Sequence, residues 1–126
     1  MPELVIIRGI PGTGKSTLGR EFAAAGYQHF ENDMYFQGRG GTHPFSKDLW
    51  PAAKSWCLMQ TAAAMKLGYN IVVSNTFTQH DQYSSYTNLA KAYHYTLRII
   101  SLTEEHGSIH NVPEDLMQRI RQIWEN

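Results

Sequence analysis

Apolar residues fall into short runs set between longer stretches of helical period. "ELVII" at 3–7 is a continuous apolar run of strand character, and "STLGREFAAAG" behind it reads as a helix closed by Gly26. "YQHFEND" at 27–33 offers a second strand that ends in polar residues and is expected beside the first. Across 34–50, Gly38, Gly40, Gly41 and Pro44 mark a loop with aromatic anchors at Tyr35, Phe36 and Phe45. Ser46 is placed to cap the next helix, Pro51 falls in its first turn, and Gly68 ends it. "NIVVSNTF" has the β-branched content of a buried parallel strand. Thr78 and Asp81 are spaced as a capping box for a helix over 81–93, and "YTLRIISL" gives a fourth strand. Pro113 with Glu114 and Asp115 opens a last helix, on which Val112, Leu116, Ile120 and Ile123 recur at helical spacing.

Strands alternating with helices predict an α/β fold: one domain over 1–126, with a parallel sheet of about four strands and helices on both faces. Ligands of such sheets bind at the carboxyl ends of the strands. Three polar segments meet there: the turn after the first strand, "ENDMYF" and "SNTFTQHD".

The turn after the first strand carries the strongest chemical signal. Gly9-Ile10-Pro11-Gly12-Thr13-Gly14-Lys15-Ser16 satisfies G-x-x-x-x-G-K-[ST], the P-loop (Walker A) pattern. Glycines allow the backbone to turn so that successive N–H groups face phosphate oxygens. Lys15 would reach the β- and γ-phosphates of ATP, and the Ser16 hydroxyl would hold Mg²⁺. Thr17 lies in the first turn of the following helix, whose N-terminal end favours an anion. Gly9, Gly12, Thr13, Gly14, Lys15, Ser16 and Thr17 are the expected nucleotide-binding set.

Phosphoryl transfer also needs a group that orients or accepts the proton of the attacking hydroxyl. Asp33, at the polar end of the second strand, is the candidate, with an N-cap or loop role as its alternative. The third strand is where a metal-side carboxylate is expected, but Asn75 follows "IVVS". Asn75 and Thr76 are candidates for positioning phosphate or water, or for a structural turn. Arg119 and Arg121 on the last helix, or Arg39 in the glycine-rich loop, are candidate cations for the transferring phosphoryl group. Tyr35, Phe36, Phe45 and Trp50 could stack a base or anchor the loop. His106 and His110 have i, i+4 spacing, but Gly107 and Pro113 argue for a loop and against a metal site.

Charge narrows the acceptor. Eleven basic and eleven acidic side chains cancel in 126 residues, so no global field draws in a long nucleic acid, and a short end or mononucleotide fits better. The single cysteine, Cys57, lies in an apolar helix-like run and is expected to be a buried, inert thiol. With the first strand at Glu3 there is no room for a leader, and no apolar run is long enough for a membrane span, so a soluble, cytoplasmic protein is expected.

"IIRGIPGTGKST", "HFENDMYF", "AKSWCLMQTAAAMKLGYNIVVSNTFT" and "HNVPEDLMQRI", in that order, resemble the small P-loop kinase-like ATP-binding proteins of phages and bacteria. Those are related to the 5′-kinase domain of polynucleotide kinase and to the P-loop domain of Nedd4-binding proteins. The resemblance implies a P-loop NTPase of adenylate-kinase-like, three-layer architecture, with ATP and Mg²⁺ on the loop. It implies Asp33 as general base toward a 5′-hydroxyl, and Arg8 also matches the group. This chain differs from the family pattern in reading "END" for "EAD", Lys54 for His, and Asn75 for the aspartate of the true polynucleotide kinases. The expected activity is transfer of the ATP γ-phosphate to a hydroxyl of a nucleic-acid end, nucleotide or related small molecule; the alternative is a nucleotide-binding regulatory protein with slow or no turnover.

Overall fold

Four parallel strands form the sheet: β1 (Glu3–Gly9), β2 (Gln28–Phe30), β3 (Ile71–Asn75) and β4 (Thr96–Leu102), in spatial order β2-β3-β1-β4. The computed structural model describes residues 1–10, 12–37, 47–102 and 114–125. The helices are α1 (Lys15–Ala24), the single turn α2 (Met34–Gln37), α3 (Trp50–Lys66), α4 (Ser84–Ala92) and α5 (Glu114–Ile123).

β1 and β3 lie inside the sheet, and the run of apolar residues in each is the sequence mark of a strand covered on both faces. Alternate residues divide between two cores. Leu4 and Ile6 of β1, with Ile71 and Val73 of β3, pack with Cys57, Ala64 and Met65 of α3 and Tyr86 and Ala90 of α4. Val5, Ile7 and Val72 face the other way, onto Leu18 and Phe22 of α1. The result is a helix–sheet–helix sandwich, as the alternating pattern predicts. Cys57 is fully buried, and burial pushes its thiol pKa up, in line with an inert thiol. Among the described residues no helix is long and apolar enough to cross a membrane.

Three helices end in the same way. Gly26 after α1 has φ 102° and Gly68 after α3 has φ 79°, and His94 takes the corresponding left-handed position after α4 with φ 60°. In each case the next residue, a tyrosine, donates its amide back to the fourth-last residue of the capped turn: Tyr27 to Phe22, Tyr69 to Ala64 and Tyr95 to Ala90. These are Schellman endings, which satisfy carbonyls the helix leaves open. Two were legible as glycines; the histidine was not.

Several local expectations need correction. β3 lies between β1 and β2, so the second strand is not beside the first. β2 keeps only three residues, and the chain turns at 31–33 into α2, where a loop was expected. α3 begins at Trp50 behind a 3₁₀ turn over Lys47–Leu49, with Leu49 at its N-cap position and Pro51 in its first turn, so the helix starts later than a cap at Ser46 implies. The capping box at Thr78 does not form. A 3₁₀ turn (His80–Tyr83) precedes α4, Gln82 rather than Asp81 accepts from the Thr78 amide at 2.9 Å, and the Thr78 hydroxyl is buried with no partner among the described residues. Arg39, Phe45, Ser46, His106, His110 and Val112 lie outside the described residues.

Candidate functional site

The loop after β1 folds back over the strand that leads into it. Gly12 and Gly14 hold φ 90° and 85°, angles a side chain strongly disfavours, and Gly14 serves as the backbone N-cap of α1. Gly9 is needed for space: a Cβ there would run into Thr13 Oγ1 and come within 3.2 Å of the Leu102 carbonyl oxygen. Thr13 is buried and spends its hydroxyl inside the loop, donating to the Ile10 carbonyl at 2.8 Å. Thr17 is exposed and accepts from Arg20 at 3.3 Å. The described part of the loop leads into the N-terminus of α1, an end that favours an anion.

Around Lys15 and Ser16 the structure gathers a polar cluster from β2 and β3. Ser16 Oγ donates to Glu31 Oε2 at 2.7 Å, and Ser74 Oγ donates to the same oxygen at 2.7 Å. His29 Nε2 lies 2.9 Å from Ser74 Oγ. Because the Ser74 proton is committed to Glu31, the neutral His29 must carry its proton on Nε2 and donate. Burial holds the His29 pKa below its ordinary value, against the pull of Glu31, and Arg20 adds to the depression. Burial likewise lowers the pKa of Lys15, and the charges of Glu31 and Asp33 act against that. Both carboxylates are therefore near enough to act on the loop lysine. Asp33 is exposed, and its carbonyl accepts from the Phe36 amide, which puts it at the start of α2.

Glu31 is the residue that sequence reasoning passed over. The expected place for a metal-side carboxylate was the end of β3, where Asn75 stands. The acid that meets the loop serine is Glu31, from the chain just beyond β2. Its sequence signal is weak: one acidic residue following a strand, two positions from a more obvious aspartate. Asn75 is turned to other partners: its Oδ1 accepts from the Asn32 amide at 2.9 Å, and its Nδ2 lies 3.9 Å from Cys57 Sγ. Arg119 is exposed on α5 and, among the described residues, makes no hydrogen bond or ion pair with the loop. Tyr35, Phe36, Trp50 and Trp56 form an aromatic cluster where α2 meets α3, with Phe36 and Trp50 stacked at 6.1 Å between centroids.

The donor set suits Mg²⁺. A hydroxyl whose one proton goes to a carboxylate turns its lone pairs outward, beside a carboxylate that keeps a second oxygen. Mg²⁺ is commonly held by one or two such groups with substrate phosphates, not by an all-protein cage. Among the described residues no cluster of three His, Cys, Asp or Glu is present.

Arg8, the residue before the loop, is 1% exposed. Its guanidinium donates to the carbonyls of Phe77 (3.0 Å), Thr78 (3.1 Å) and Glu125, and lies over the rings of Trp124 at 4.2 Å and Tyr83 at 5.6 Å. Phe77 takes a left-handed φ of 45°, an outlier for a bulky residue, where the chain leaves β3 and presents these carbonyls. Arg8 thus ties the strand that carries the phosphate loop to the end of β3 and to the segment after α5.

A family model for an AAA domain matches residues 4–109. Among solved structures, a chain of the Pnkp1/Rnl/Hen1 RNA repair complex is 17% identical over 99% of this chain and 40% of its own length, with a TM-score of 0.67. A gluconokinase from Sinorhizobium meliloti is 22% identical over 99% of this chain and 76% of its own, with a TM-score of 0.60. The APS kinase CysC of Mycobacterium tuberculosis is 13% identical over 97% of this chain and 96% of its own, with a TM-score of 0.55. This chain spans 38% and 40% of the repair-complex chains it matches. At these identities the likeness is one of fold, a P-loop kinase-like sandwich, as the sequence blocks imply. With the match running through most of its length, the chain belongs to the AAA domain family of P-loop proteins.

Proposed function

We propose that this domain binds ATP with Mg²⁺ on the loop Gly9–Thr17 and transfers the γ-phosphate to a hydroxyl presented at Asp33, on a nucleic-acid 5′ end, a nucleotide or a related small molecule. The observation that carries the reading is the 2.7 Å bond from Ser16 to Glu31, beside a half-buried Lys15 that both Glu31 and Asp33 influence. One acid is tied to the loop serine. The other, Asp33, is exposed at the start of α2, where solvent and an acceptor have access to it.

Phosphoryl transfer asks little covalent chemistry of a protein; it asks for alignment, charge neutralisation and control of one proton. The loop amides and Lys15 bind and orient the phosphates. Ser16 and Glu31 would hold Mg²⁺, which supplies charge neutralisation at the phosphate oxygens. Asp33 accepts the proton of the acceptor hydroxyl as that oxygen attacks. The solved repair complex and small-molecule kinases of the same fold support a phosphotransferase, and the neutral charge of this chain supports a short acceptor over a long duplex.

A regulatory nucleotide-binding role is the second reading, favoured by the exposed Arg119 and by Asn75 at the position of the expected carboxylate. Glu31 weakens the second of those grounds. Two variants separate the readings. Lys15→Ala is expected to weaken ATP binding itself. Asp33→Asn is expected to leave ATP affinity near wild type while lowering transfer by about 10²–10⁴, the usual range for loss of a general base. Undiminished transfer by Asp33→Asn contradicts the assignment of the base.

A further inference from the structure

The Glu31 carboxylate has to be kept in place by something other than the loop serine. Glu31 follows an edge strand of three residues, and its side chain has rotatable bonds enough to sweep a wide arc. Two hydroxyl donors converge on a single oxygen, and only one of them, Ser16, belongs to the phosphate loop. The other, Ser74, is a short side chain on β3 that could as well turn its proton elsewhere. His29 removes that freedom, because an Nε2–H aimed at Ser74 Oγ leaves the hydroxyl proton to go to Glu31.

His29 is itself fixed by a gap in α1. Gly19 is buried and faces the imidazole: a Cβ there would run into Nε2 and come within 2.7 Å of Cε1. Glycine inside a helix costs about 0.5–1 kcal/mol relative to alanine, so the notch is a feature the helix carries at some expense. The ring is thereby gripped between α1 and β3, with its donor pointed at Ser74.

We propose that His29 is a positioning residue for the metal-side carboxylate: seated in the Gly19 notch, it sets the Ser74 hydroxyl, which in turn holds Glu31 against Ser16. The inference rests on the reading of Glu31 and Ser16 as the groups that would hold Mg²⁺. It assigns no contact between His29 and nucleotide.

The test is calorimetric titration of ATP into the full chain over a series of Mg²⁺ concentrations, read as the Mg²⁺ concentration that half-maximally strengthens binding. His29→Met, which fills the notch without a donor, is expected to raise that concentration about tenfold, the low end for loss of a partner behind a metal ligand, with Mg²⁺-free ATP affinity unchanged. His29→Gln places an amide N–H near the position of Nε2 and is expected to restore most of the response. Glu31→Gln, the control for the underlying reading, is expected to lose it. If Glu31→Gln loses the response while His29→Met keeps it, the positioning role is overturned and the metal reading stands. If Glu31→Gln keeps the response, both fall. Equal loss in His29→Met and His29→Gln overturns the hydrogen-bond relay. Should thermal unfolding show that His29→Met does not fold, Ser74→Ala is read by the same criteria.

Discussion

Gly9 and Glu31 show how differently two residues of one site are written in the sequence. Gly9 is fixed by the motif, and its reason is steric: Thr13 and the Leu102 carbonyl leave no room for a side chain. Gly9→Ala is therefore expected to distort the loop and weaken ATP binding at least tenfold, measured by titration, and wild-type affinity in that variant would contradict the close approach. Glu31 belongs to no local motif. Its contact with the loop serine depends on β3 lying between β1 and β2, so that the chain beyond β2 reaches Ser16 past Ser74. Asn75 follows a buried strand and is a candidate for positioning phosphate or water or for a structural turn; its amide meets Asn32 and Cys57, partners that no spacing rule brings together.

At the scale of elements, helix endings and strand cores were legible because glycine and apolar runs have direct conformational causes. Helix beginnings were less so. Ser46 and the Thr78/Asp81 pair are good caps by composition, but 3₁₀ turns at Lys47–Leu49 and His80–Tyr83 move the helix starts onward. The His94 ending is testable. A left-handed non-glycine residue costs about 1–2 kcal/mol, and glycine there adds back about 0.4–1 kcal/mol of unfolded-state entropy. His94→Gly is thus expected to stabilise the domain by about 1 kcal/mol in denaturant titration; destabilisation would show that the exposed imidazole makes a contribution of its own. A second test concerns the tie between Tyr27, after α1, and Glu3 at the start of β1. Glu3 accepts from the Tyr27 hydroxyl and from Arg98, each bond lowering its pKa below 4.5, the Tyr27 bond first in effect. A depressed carboxylate adds stability that is whole above its unfolded pKa and is lost as pH falls through the folded one. The stability difference between wild type and Tyr27→Phe is expected to hold steady above about pH 4.5 and to shrink below it; a difference that stays constant through acid pH would contradict the assigned cause.

Across the whole molecule, the alternation of strands and helices gave the layers, and physical rules alone could not give the order β2-β3-β1-β4. Long-range ties were also out of reach, Arg8 above all. It is buried, bonded to three carbonyls and covered by Trp124, so the segment after α5 is joined to the strand that carries the phosphate loop. A planar guanidinium makes that set of bonds; a lysine ammonium does not reproduce it. Arg8→Lys is expected to cost about 2–3 kcal/mol of stability, the scale of hydrogen bonds to a charged group, and a change under about 0.5 kcal/mol would contradict the tie.

The most direct measurement is transfer of labelled γ-phosphate from ATP with Mg²⁺ to a panel of 5′-hydroxyl DNA and RNA oligonucleotides, nucleosides and nucleoside monophosphates, with Asp33→Asn in parallel. Label on one acceptor class, lost in Asp33→Asn, is the predicted result and names the substrate. No label on any acceptor, in a protein that binds ATP with Mg²⁺, would contradict phosphotransfer and leave the regulatory reading.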